Sequence, residues 1–274
     1  MTNIQSLRQK GFSLIELMVV AAVFTIITGA VFTVLIVAEQ RYKIESEVSN
    51  SFNGSNVAID QLTRDIHQAG FPPANSYAAA APAAVTATRV AVPFAWSTGT
   101  GYPAVKCTMG AGGSCAPVPG NFDIIVEENP DPTAPLATVN WIRYQLPAGS
   151  HTLLRAVVPK AAGVDPVAAT AVGAGPGSLT PYLDGVMNNA TAAEIAGIKL
   201  HYPAMFPGNA QVPIFTYTCD TVAGPAPCTA VNGPSDIRDV QITLIVETSA
   251  PDMRNRVPRI VTLTGQAERI NPNQ

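Results

Sequence analysis

A glutamate stands where a membrane-length apolar run has just begun. Glu16 closes the block Gly11-Phe12-Ser13-Leu14-Ile15-Glu16, and no charge follows it from residue 17 to residue 38. A carboxylate in hydrocarbon costs on the order of a few kcal/mol unless it snorkels or finds a partner, so an acid there is a functional residue by default. The chemistry open to it is electrostatic: Glu16 can neutralise an ammonium where water is excluded. At about 4 Å and an effective dielectric near 20 such a pair is worth very roughly 4 kcal/mol. The other reactive side chains are less ordered. Cys107, Cys115, Cys219 and Cys228 form two local pairs around loops containing Gly or Pro. His67, His151 and His201 are dispersed, one near a helix end and two at strand edges. No H-E-x-x-H or G-x-S-x-G occurs, and Asp131 and Asp220 lack the carboxylate spacing of a calcium loop. These residues carry no catalytic set and imply no cofactor and no metal.

Glu16 needs a helix to hold it. The 22 uncharged residues 17–38 span roughly 33 Å as helix, enough for a hydrocarbon core of about 30 Å. Ahead of them is a polar leader whose only charges are Arg8 and Lys10. A secretory signal peptide has a shorter apolar core, of roughly 7–15 residues, and no acid at its start. A plain single-pass anchor shares the physics from Leu17 onward but does not account for Gly11, Phe12 and Glu16 in that order. Arg8 and Lys10 place the amino terminus on the cytoplasmic side and the remaining chain outside the cytoplasm.

Helical character continues beyond the apolar run. Glu39, Arg41, Lys43, Glu45 and Glu47 are helix formers, and Ile44, Val48, Phe52, Ile59, Leu62 and Ile66 recur at helical period. Arg64 and Asp65 fall off that stripe. No proline interrupts residues 12–71, and Gly70-Phe71-Pro72-Pro73 ends the pattern. The expectation is one helix of nearly 60 residues, about 85–90 Å long.

After residue 71 the period shortens. Strands are expected over 89–96, 122–127, 138–146, 152–158, 197–202, 212–218, 240–247 and 259–267. Pro147-Ala148-Gly149-Ser150 joins two of these runs as a hairpin, and the polar segment 249–258 joins the last two. No helical pattern intervenes, so the class is α+β, with a long helix on a largely antiparallel sheet. Segments 78–87 and 159–177 are Ala-, Pro- and Gly-rich, and read as surface excursions with little secondary structure. The pattern divides the chain into a polar start at 1–11, a membrane-length helix at 12–38, its amphipathic half at 39–70, and a β-rich domain at 71–274.

The G-F-S-L-I-E block resembles the cleavage and methylation signal of type IV prepilins and type II secretion pseudopilins. The resemblance implies cleavage between Gly11 and Phe12 by a prepilin peptidase, N-methylation of Phe12, and pairing of Glu16 with the terminal amine of a neighbouring subunit. It also implies a pilin-like fold. The segment Ala58-Ile59-Asp60-Gln61-Leu62-Thr63-Arg64-Asp65-Ile66-His67-Gln68-Ala69-Gly70-Phe71 resembles the helix ending of PilW-type minor pilins, and less fully that of J-type minor pseudopilins. By that resemblance the chain is a minor pilin that helps to initiate pilus assembly or sits at the pilus tip. Its partners are then other minor and major pilins, the inner-membrane assembly platform, the peptidase and the inner membrane. The alternatives are a minor pseudopilin of a type II secretion system and an anchored binding protein that joins no filament.

An exported domain lies in a disulfide-permissive compartment, which favours Cys107 with Cys115 and Cys219 with Cys228. Cross-pairing between the two loops stays open, since four cysteines allow three connectivities. Zinc is disfavoured because the spacings exceed C-x(2–4)-C and no histidine lies beside them. Loss of Arg8 and Lys10 moves the formal net charge from −3 to −5, and without a basic run the mature chain offers phosphate backbones no footprint. No nucleic-acid partner is expected.

Overall fold

A computed structural model of the chain describes residues 12–70, 93–97, 107–110, 112–115, 117–129, 139–161, 163–251 and 257–269, with the side chains of 249 and 250 excepted. It divides into two units, Met1–Glu47 and Val48–Gln274. Helix α1, Leu14–His67, contributes residues to both. The fold is α+β with antiparallel sheets, as the sequence pattern predicts.

In the larger unit the strands form two sheets where the pattern suggested one. The first has five strands, β1 (Phe94–Ala95), β2 (Asp123–Glu128), β3 (Asn140–Gln145), β4 (Leu153–Pro159) and β5 (Thr180–Leu183), paired in that order. The second has four: β6 (Phe215–Thr221), β7 (Gly224–Pro227), β8 (Ile237–Pro251) and β9 (Pro258–Glu268), ordered β7-β6-β8-β9. Strand direction reverses at every pairing in both sheets. The turn expected at Pro147–Ser150 is present, with Ser150 N–H donating to the Pro147 carbonyl at 3.0 Å and Gly149 at φ +71°.

The face of α1 that packs on this unit differs from the expected stripe. Ser55, Ala58, Ile59, Leu62, Asp65 and Ile66 are buried, whereas Phe52 is exposed. Asp65, expected off the stripe, is buried because it follows Leu62 by three residues and so shares its face. Its carboxylate accepts the Tyr144 hydroxyl at 2.7 Å and Arg155 Nη2 at 3.0 Å. Burial and the Asp65 charge together push the Tyr144 hydroxyl far above the ordinary tyrosine value. Arg64 is exposed.

Two glycines permit the close approach. A Cβ on Gly265 of β9 would sit 3.1 Å from both Ile59 and Thr63 of α1. Gly70, at φ +79°, takes the left-handed conformation that ends a helix, and its N–H donates to the Glu127 carbonyl at 3.0 Å. The main core lies between α1 and the inner faces of both sheets, where Leu62, Ile124, Tyr144, Phe215 and Leu244 are fully buried.

The first sheet is buried on its other face too: five of the six β2 residues are buried, including Asp123 and Glu127, whose carboxylates are paired there. Its cover is the segment expected to be a bare excursion. Within 159–177 lies helix α2, Pro166–Thr170, capped by Asp165, whose side chain accepts from Val167 N–H at 2.7 Å. Arg143 of β3 donates to the Val167 carbonyl and to Thr170 Oγ1, both at 3.2 Å, and pairs with Asp123 at 2.6 Å. Beside it Lys160 and Glu127 form a fully buried pair at 2.8 Å, and Trp141 Nε1 donates to Glu127 at 3.0 Å. Ala-rich composition concealed a helix that tertiary contacts stabilise.

One predicted strand is wrong. Residues 197–202 belong to helix α3, Ala192–Lys199, and the turn after it. Thr191 caps α3 and Glu194 reaches back to the Thr191 N–H, a capping box whose T-x-x-E signal is present in the sequence. Alternation of Ile198, Leu200 and Tyr202 imitated a strand. The segment 78–87 lies outside the described residues, as does most of 89–96.

Candidate functional site

The N-terminal end of α1 carries Phe12, Ser13 and Glu16; Gly11 lies outside the described residues. Ser13 accepts the Leu17 N–H on its carbonyl at 3.2 Å, and its own N–H donates to Glu16 Oε2 at 3.0 Å. Ser13 and Glu16 therefore act as the cap and third residue of the helix start. Sequence reasoning missed this role, although S-x-x-E is its signal. The carboxylate satisfies a backbone donor that an apolar environment would leave stranded, and it faces the positive end of the helix dipole. Oε2 is occupied in this way, and among the described residues Oε1 has no hydrogen bond.

From Leu14 to Val37 the helix exposes nearly every large apolar side chain. Two of its three hydroxyl side chains in that stretch are satisfied internally: Thr25 donates to the Ala21 carbonyl at 2.8 Å and Thr33 to that of Gly29 at 2.9 Å. Such back-bonding removes the cost of a hydroxyl in lipid. Among the described residues α1 is the one helix long and apolar enough to cross a membrane. Farther along, Lys43 pairs with Glu39 at 3.1 Å on an exposed surface.

The cysteines sit together in two bonds. Cys107 joins Cys115 and Cys219 joins Cys228, each with Cα atoms 4.9 Å apart. The second bridge ties β6 to the residue after β7. The loops touch: Met109 N–H donates to the Asn232 carbonyl at 2.7 Å, and Gly110 lies against the backbone of Cys228 and Thr229.

The histidines are less scattered than the sequence suggested. His151 and His201 line one cavity with Glu194 and Glu247. His67 instead contacts the Glu268 carbonyl at the end of β9. Asp220 lies in β6 rather than in a loop, 3.6 Å from Arg238. Asp131 falls outside the described residues. Among the described residues no group of three or more His, Cys, Asp or Glu side chains is placed to hold a metal.

Residues 6–32 match the family described as the prokaryotic N-terminal methylation motif. That match covers the start of α1 and contains Phe12 and Glu16, and it marks the N-terminus as prepilin-type, the kind carried by pilins and pseudopilins. No curated protein and no solved structure matches the chain.

Proposed function

We propose that the chain is a minor type IV pilin of PilW type, cut between Gly11 and Phe12, N-methylated at Phe12 and inserted in the inner membrane before it enters a pilus. The observation that carries this reading is the methylation motif at residues 6–32, with Glu16 at the head of an exposed apolar helix. In a filament interior the Phe12 ammonium of a neighbour needs a counter-charge, and Oε1 of Glu16 supplies it while Oε2 keeps the Ser13 N–H. Buried Leu62, Asp65, Ile66 and Ala69 supply a structural use for the L-x-R-D-I-x-x-A-G ending that favours a pilus subunit over a pseudopilin.

The test separates cap from charge. Glutamine at residue 16 preserves the helix cap, because a glutamine side chain also accepts from the cap N–H. Glu16→Gln should therefore match wild type in membrane level and lose pilus incorporation as fully as Glu16→Ala. Mass spectrometry of the membrane fraction should find N-methylated Phe12 as the first residue. Wild-type incorporation of Glu16→Gln at equal expression would refute the counter-charge role, and a mature chain beginning after Ala22 would refute the prepilin reading.

A further inference from the structure

A cavity of about 390 Å³ opens between α3 and the β8–β9 hairpin, within the range of about 300–1,000 Å³ typical of ligand sites. Ile198, Tyr202 and Ile260 give it apolar walls, and His151, Glu194 and Glu247 give it its polar edge. Glu194 is already committed. Its Oε2 accepts the Thr191 N–H at 2.7 Å and the Thr191 hydroxyl at 2.8 Å, and its Oε1 lies 3.2 Å from His151 Nε2. Glu247 differs: among the described residues its carboxylate has neither a hydrogen bond nor an ion pair. The cation nearest in sequence on α3, Lys199, is turned away onto Asn209 Oδ1 at 2.5 Å. Arg259 lines the adjoining cavity and not this one.

We propose that this cavity binds an organic monocation on a short apolar stem, an alkylammonium or a guanidinium, with Glu247 as its counter-charge. The apolar walls take the stem and the Glu247 carboxylate takes the head, while Glu194 stays on Thr191 and His151. Burial, reinforced by the Glu194 charge, lifts Glu247 above the ordinary glutamate value despite His151, so a cation arriving there relieves an existing cost. A metal ion does not fit, because no three ligating side chains converge among the described residues. The shared chemistry has two sources, a free amine or a lysine or arginine side chain of another protein.

The experiment is calorimetric titration of the full chain in detergent micelles at low ionic strength. The probes are Nα-acetyl-lysine N-methylamide, its norleucine isostere and n-butylammonium. The lysine amide should bind at least tenfold more tightly than the norleucine amide. Glu247→Gln should erase that preference without lowering the melting temperature, since its carboxyl is already burdened by burial. Gly197→Leu is the second variant: Gly197 lines the cavity and a Cβ there meets nothing within 4 Å, so the side chain should occupy the site and abolish binding of all three probes. Equal affinity for the two isosteres, no binding at all, or a preference that survives Glu247→Gln would overturn the proposal. n-Butylammonium binding as tightly as the lysine amide supports the site with a free amine as ligand. Weaker binding supports it with a protein side chain.

Discussion

Glu128 is a stability switch whose size follows from its surroundings. Its carboxyl is raised from 4.5 to about 7, first by burial and then by the charge of Asp65, with Arg155 pulling the other way. Its Oε2 is buried and finds no hydrogen-bond partner among the described residues. The folded protein therefore binds this proton more tightly than the unfolded chain does. The stability so gained is fully present below about 4.5 and is lost as pH rises through about 7. A rise of that size corresponds to about 3 kcal/mol at about 1.4 kcal/mol per tenfold, and discounting for the part of the group that meets water leaves about 1–2 kcal/mol. Glu128→Gln keeps the shape and removes the titration. At pH 4 the two proteins should have nearly equal unfolding free energies. The variant should then gain progressively, reaching about 1–2 kcal/mol at pH 8, or roughly 3–6 °C in melting temperature for a domain of this size. Fluorescence of the buried Trp96 and Trp141 during thermal unfolding in detergent micelles reads the transition. A variant less stable than wild type at pH 8, or a difference that does not change with pH, would refute the reasoning.

Three further outcomes rest on other contacts. Asp65→Asn removes the second cause of the Glu128 shift, so it should move the Glu128 midpoint toward 4.5 and shrink the pH 8 gain of Glu128→Gln, as a double-mutant cycle would measure. Lys160→Met should destabilise the domain by about 3–5 kcal/mol in urea unfolding because it takes the ammonium from buried Glu127, while the double change Lys160→Met with Glu127→Leu should recover most of the loss. Replacing Cys219 and Cys228 together by serine opens a loop of sequence separation 9 and should cost about 2.5 kcal/mol, with non-reducing peptide maps retaining the Cys107–Cys115 link.

Local signals in the chain were sound guides where the cause was local. The proline-free run up to Gly70 marked α1 well, and the β3–β4 and β8–β9 hairpins were legible because turn and alternation lie within a few residues. Nonlocal causes were hidden. Nothing near Asp65 says that it is buried, because its partners Tyr144 and Arg155 are 79 and 90 residues away. The division into two sheets depends on which strands meet, and short β5 and β7 have almost no apolar signal. The α2 cover depends on Arg143 of β3 reaching the Val167 carbonyl and the Thr170 hydroxyl. Two misses were local and avoidable: T-x-x-E before α3 and S-x-x-E at the start of α1 both announce a helix start. At Glu16 the cost of a charge in an apolar run masks the cap that the same carboxylate makes.

The face that α1 turns to the sheets also shows why an apolar stripe is not enough for such a helix. Leu, Ile and Ala side chains can be satisfied in several neighbouring registers, since burial is non-directional and a slide by one turn exchanges one apolar contact for another. Asp65 cannot slide. A shift of one turn, about 5.4 Å, would carry its carboxylate away from the Tyr144 hydroxyl and from Arg155, leaving charges unpaired in a dry place. The Gly265 notch is equally selective, because only there does β9 lack the Cβ that Ile59 and Thr63 would strike. Glu128 is the cost of this arrangement, a second carboxyl held near the first. Register is thus set by a polar pair and a missing side chain, while the apolar residues supply the driving force.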